Sequence, residues 1–296
     1  MSETREASPA RRATPRPTFD GPTVLRRRDT AHHVWGDAES GHVTDRVYVS
    51  TAALHVLEFE LAPGGGFRHS ASNKTVFAAD VFYRVLDGTL VLADPQHGEV
   101  RVVEAGEGVL FRRDTWHHGF NPAAETVRVL EFFAPPPSKG TASTYSVNKP
   151  DLASVRYQDT RWERRWPMAA AEQELSSKLH VVQESAALWR FAHTAPSHLQ
   201  GTLVDTEHLV VRTGRVAAGH VEELHEVEDE TVLVVTSGQL WVDTRDTCDD
   251  FSVACLEPGD GVYVPVGCSL RVLVRSSAPA TYLWGAGRAT TDDWRP

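Results

Sequence analysis

A chain of 296 residues, 41% hydrophobic and 24% charged, has the composition of a globular protein with room for two domains of roughly 100–150 residues. Its formal net charge of −10 argues against nucleic acid or a membrane surface as partner, because both are polyanions. No apolar run approaches the roughly 20 residues that span a bilayer, the N-terminus lacks an apolar secretory core, and the odd set Cys248, Cys255 and Cys268 suits a reducing, cytoplasmic setting better than a disulfide framework.

Residues 1–22 are rich in Arg, Pro, Ser and Thr and nearly free of large apolar side chains, which predicts a disordered tail. His32 and His33 follow in a poorly patterned lead-in that suggests no role for them. From Val47 the chain becomes a series of short β-branched and aromatic runs: 47–51, 54–61, 81–86, 89–94, 100–105, 108–113 and 127–133. Turn residues separate them at about the 8–12-residue spacing of sandwiches and barrels. Consecutive prolines at 135–137 stop the series. A helical run lies within 161–178, with Pro167 in its first turn and 168–175 following. The strand rhythm then returns at 201–206, 208–216, 231–238, 239–244, 260–266, 270–276 and 280–286. The expected division is a tail (1–22), a first barrel (23–140), a linker with a short helix (141–200) and a second barrel (201–290).

The two halves overlay. Thr51 matches Thr206, Gly64 matches Gly219, Gly88 matches Gly238, Gly106 matches Gly259, and Trp35 is set against Trp189. Offsets stay between 150 and 156 residues, the mark of an internal duplication. The two tryptophans are expected in a core or between the barrels.

Each half carries two glycine-anchored blocks. In the second half Gly219 is followed by His225, Asp229, Glu230 and Gly238, then by Gly259, Pro265 and Gly267. In the first half Gly64, His69, Asp80 and Gly88 precede Gly106, His117 and Asn121. These blocks resemble the two motifs of the cupin superfamily, over roughly 47–135 and 203–286. The resemblance implies an all-β, two-domain bicupin of tandem jelly-roll barrels. It also implies that His69, Asp80 and His117 of the first barrel could hold one divalent transition metal (Fe, Mn, Ni, Zn or Cu), while His225 and Glu230 of the second form a degenerate site. Leu270 stands where the family has its last histidine.

In both halves the acid lies eight residues before the glycine, where the family has seven. Either a bulge corrects the register, or Asp80 and Glu230 point outward and Val81 and Thr231 point in. His118 and Arg112 are candidate acid/base or clamping residues, the latter because a guanidinium grips carboxylate or phosphate. His55, Asn121 and Glu131 are candidate substrate contacts. The reading is a bicupin enzyme of small-molecule metabolism, a metal-dependent dioxygenase or isomerase. The alternatives are a metal-free epimerase, dehydratase or cyclase that uses a histidine base, and a non-enzymatic ligand-binding or structural bicupin. A homodimer is a further expectation, since apolar barrel edges need cover.

Overall fold

The computed structural model describes residues 14–68, 75–77, 79–113, 115–135, 146–148, 152, 154–165, 170–192 and 195–288. The runs expected as strands are strands: 54–61 contains His55–Leu61, 89–94 is Thr89–Asp94, 127–133 lies in Val127–Ala134 and 280–286 in Ala280–Gly287. They assemble into two barrels, each made of a seven-stranded and a four-stranded antiparallel sheet.

In the first barrel the larger sheet runs His180–Gln183, Glu107–Phe111, Asp80–Asp87, Val127–Ala134, His55–Leu61, Gly41–Ser50, Ala31–Asp37. The smaller one runs Gly66–Phe67, His118–Phe120, Thr89–Asp94, Glu99–Glu104. The second barrel repeats this with Thr23–Leu25, Gly261–Val264, Glu230–Ser237, Ala280–Gly287, Leu209–Val216, Ala195–Asp205, Leu188–Ala192, against His225–Glu226, Ser269–Leu273, Leu240–Arg245, Phe251–Leu256. The helix Ala170–Ser176 is mostly exposed; residues 166–169, where its start was expected, lie outside the described residues.

Each barrel lends the other a strand. Thr23–Leu25 pairs with Gly261–Val264 of the second barrel, and His180–Gln183 pairs with Glu107–Phe111 of the first. The exchange covers one edge of each large sheet, which would otherwise present unpaired backbone groups. Between the sheets lies one shared core, in which Val56, Phe82, Leu130 and Phe132 pack with Leu209, Val211, Val232, Val234 and Leu283.

The duplication is visible in the backbone. Gly64 and Gly219 have φ of +67° and +75°, Gly88 and Gly238 +79° and +73°, Gly106 and Gly259 +89° and +89°. A side chain is strained there, so the same turns need glycine in both halves. The matched threonines also do one job: Thr51 Oγ1 accepts from Ala53 and Leu54 N–H, and Thr206 Oγ1 accepts from His208 and Leu209 N–H. Trp35 and Trp189 are not equivalents. In the strand registers Asp45 corresponds to Gln200 and Trp35 to a position beyond Trp189. Trp35 packs on the first barrel's core, whereas Trp189 lies under the Arg215 guanidinium.

Candidate functional site

Strand alternation decides which side chains enter each barrel. In Asp80–Asp87, Val81, Tyr83 and Val85 join the first barrel's interior and Phe82 joins the shared core. Asp80 therefore points out of the barrel, where Oδ1 accepts from Arg112 Nε at 2.6 Å. Arg112, one residue past the end of Glu107–Phe111, also pairs with Glu207 of the second barrel. Glu230 behaves likewise: Val232 and Val234 share its face, and it accepts from Thr51 Oγ1 across the interface. Asp80 and Glu230 are thus inter-barrel residues, not ligands, and Arg112 is a strut between barrels, not a substrate clamp. Each strand has a bulge, at Leu86 and at Thr236, yet Asp80 keeps the face of Phe82 and Glu230 that of Val232 and Val234, so both acids point outward.

His117 does enter the first barrel. Its ring lies 4.2 Å from Phe111, 5.8 Å from Phe67 and 6.1 Å from Tyr83, centroid to centroid, and its Nε2 is 3.3 Å from Tyr83 Oη. Gly119 leaves the space that Phe67 occupies, since a Cβ there would lie 2.3 Å from that ring. His118 faces the other way: it is buried outside the barrel, with Nδ1 2.8 Å from Tyr157 Oη. Asn121 is a loop clamp. Its Nδ2 donates to the carbonyls of Leu61, Ala62 and Glu125 and its Oδ1 accepts from Ala123 N–H, so little of it is left for a substrate. His69 lies outside the described residues.

Two of the expected contact residues face inward. His55 shares a face with Leu57 and Phe59 and packs its ring against Phe133. Burial, reinforced by Arg16, pushes its imidazole down to about 4, so it is neutral at physiological pH. Glu131 lies between Leu57 and Tyr83 on neighbouring strands. Burial first, and the Asp45 carboxylate second, raise its carboxyl to about 8. Glu131 nevertheless keeps some accessible surface.

His33, which its lead-in gave no role, joins Asp45 and Tyr83, which no motif marks, inside the barrel. His33 Nδ1 lies 3.3 Å from Asp45 Oδ2, and both side chains are enclosed. Burial raises Asp45 above the usual carboxylate range, with the bond from His33 opposing it. Tyr83 is raised by burial and then by Glu131 and Asp45. The strand Ala31–Asp37 does alternate in exposure, but its inward face carries only Ala31, His33 and Trp35, too little apolar pattern to announce a strand. The interior of the first barrel is thus lined by Trp35, Phe59, Phe67 and Phe111 and contains His33–Asp45, Glu131, Tyr83 and His117.

Solved structures share this architecture over most of the chain. The glyoxylate-induced protein of Pseudomonas aeruginosa superposes with a TM-score of 0.64 at 15% identity, covering 97% of this chain and 96% of that one. Streptomyces albus HEPD, with 2-hydroxyethylphosphonate and Fe(II) bound, gives 0.63 at 12% identity over 93% and 78%. Lactobacillus farciminis oxalate decarboxylase in its formate complex gives 0.58 at 12% over 93% and 88%. The chain has the bicupin fold. Its sequence matches no protein-family model and no curated protein, so the likeness is one of fold. Among the described residues no helix is long and apolar enough to cross a membrane.

The second barrel of this bicupin carries different side chains at the matched inward positions. At the positions of Leu57 and Glu131 it has Arg212 and Trp284, stacked with the guanidinium 4.6 Å from the ring centroid. His225 pairs in register with Leu270, half-buried, while Glu230 is on the other face. The cupin motif positions therefore do not assemble a metal centre among the described residues of either barrel. Val81 and Thr231 take the inward places that a carboxylate would need, and the described donors of the first barrel form no convergent metal-binding group.

Proposed function

We propose that this bicupin is a small-molecule enzyme of the acid–base type, with its active site in the first barrel. The enclosed carboxyl of Glu131 carries the reading. At neutral pH it is largely protonated, and it stands beside Tyr83, whose hydroxyl reaches His117. A carboxylic acid kept neutral next to an imidazole supplies one proton donor and one acceptor in the same interior. Aromatic walls suit a substrate with a ring or short apolar body that bears a carbonyl or hydroxyl group.

In such a site Glu131 donates its proton to the substrate oxygen while His117 removes a proton from the adjacent carbon. Tyr83 holds the imidazole, and the His33–Asp45 pair anchors a second polar substituent. The C–H electron pair becomes the new carbon–carbon π bond of an enol. Proton return to carbon then gives an epimer or isomer. When the oxygen is instead a hydroxyl one carbon further on, it leaves as water with the Glu131 proton, which is dehydration.

A panel of ring-bearing and short-chain oxo- and hydroxy-compounds in D2O, followed by NMR, tests the proposal. At least one compound should exchange C–H for C–D or lose water, and Glu131→Gln should slow it at least a hundredfold. No exchange or water loss across the panel, or undiminished turnover in Glu131→Gln, would overturn it.

A further inference from the structure

We propose that the second barrel binds a divalent transition metal through His198, His220 and Glu222. None of these residues falls on a cupin motif position, and the site is independent of the acid–base reading of the first barrel. All three are nearly inaccessible to solvent, at 2%, 2% and 7%, and one ligand atom from each lies within 4.8 Å of the others.

The fold sets them there firmly. His198 sits on Ala195–Asp205 in register with Val216 and so faces the interior. After the turn at Gly219 the chain alternates: Val221 is out, at 64% exposure, while His220 and Glu222 are in. The segment is stitched to the neighbouring strand, with Val274 N–H donating to the His220 carbonyl and Val272 N–H to Glu222 Oε1.

Two imidazoles aim one nitrogen each at a single carboxylate oxygen. His198 Nδ1 is 2.8 Å and His220 Nε2 3.3 Å from Glu222 Oε2. Tetrahedral coordination at the usual bond lengths places such donors roughly 3.3 Å apart, close to the separations of both imidazole nitrogens from the carboxylate oxygen. The outer nitrogens are anchored as well: His198 Nε2 is 2.7 Å from Tyr282 Oη, and His220 Nδ1 is 2.7 Å from Ser197 Oγ. Outer-shell partners of this kind orient metal-bound histidines. Both are hydroxyls, able to donate or accept, so each imidazole can carry its proton outward and turn a lone pair inward. Two imidazoles and a carboxyl group form a donor set that suits zinc, cobalt, iron or manganese. His225 stands beside it, with Nδ1 4.0 Å from Glu222 Oε1.

The test uses the full chain without a polyhistidine tag, stripped with chelator and titrated with Co(II). One equivalent should produce the visible absorption of nitrogen- and oxygen-bound cobalt, and Zn(II) should abolish it while raising the melting temperature. His198→Gln and Glu222→Gln should each weaken uptake at least tenfold, whereas His117→Gln in the first barrel should leave it unchanged. Absence of a one-equivalent site in the wild type would overturn the proposal whether or not the variants fold. So would a cobalt signal that survives in folded His198→Gln or vanishes in His117→Gln.

Discussion

The two barrels share turns, strand order and register, yet their interiors hold different chemistry at matched positions. Across one layer of the first barrel run Val47, Leu57, Glu131, Tyr83 and Val109; the same layer of the second reads Thr202, Arg212, Trp284, Leu233 and Val262. In the next layer His33, Asp45, Phe59 and Val129 face Arg190, Gln200, Gly214 and Tyr282. An acid in one copy is thus replaced by a stacked cation and indole in the other, while the Tyr282 ring occupies the space that Gly214 leaves open. Duplication preserved the glycines that turns require and the faces that alternation imposes. It left the identity of each inward side chain free to diverge, and two polar clusters arose in different places.

Substitutions at the matched positions of Glu131 and Trp284 carry the largest expected difference. Glu131→Gln should lower turnover by roughly 10²–10⁴-fold, whereas Trp284→Phe at the matched position should leave it unchanged. A loss of turnover in the second variant alone would assign the chemistry to the wrong barrel.

Next in size is the pH dependence of stability. Glu131, raised from 4.5 to about 8, keeps its proton in the native chain where the unfolded chain has lost it. Its contribution to stability therefore falls as pH rises from about 4.5 to about 8, by on the order of a few kcal/mol. His55 acts in the opposite sense: lowered from 6.5 to about 4, it adds stability as pH rises through that interval. Urea midpoints against pH should show Glu131→Gln abolishing the decline above pH 6.5, where His55 no longer titrates.

Smaller effects belong to the interface. Arg112→Met leaves Asp80, at 1% exposure, without its cation. The half-exposed guanidinium limits the loss to about 2 kcal/mol, and turnover should stay at the wild-type level if Arg112 is a strut. The smallest change expected is from His118→Gln, which gives up the Tyr157 bond outside the barrel for about 1 kcal/mol. A large loss of turnover in that variant would return His118 to the site.

Much of the architecture was legible before the structure. Glycine and proline spacing, alternating strand runs and the repeat offset depend on local backbone requirements, which a single chain displays. His117 was recognisable from its motif spacing to Asn121, and His55 and Glu131 as polar residues on expected strands. The motif acids were harder. Asp80 and Glu230 sit one residue from the inward position, and whether a bulge intervenes depends on how neighbouring strands pair. His33 carries no sequence signal because its strand, Ala31–Asp37, is an edge strand with a sparse apolar face, and Asp45 carries none because its partner is that histidine on the neighbouring strand. His198, His220 and Glu222 are separated by a strand and a turn, so only folding brings them together.

By itself, then, the amino-acid order determined a duplicated all-β chain, its turn glycines and the period-two rule for each strand, since these follow from φ, ψ and sterics within a few residues. The tertiary structure decided the strand exchange, the inter-barrel role of the motif acids and the two polar clusters. Those depend on register and on contacts between residues far apart in the chain, where a shift of a single residue moves a side chain to the opposite face.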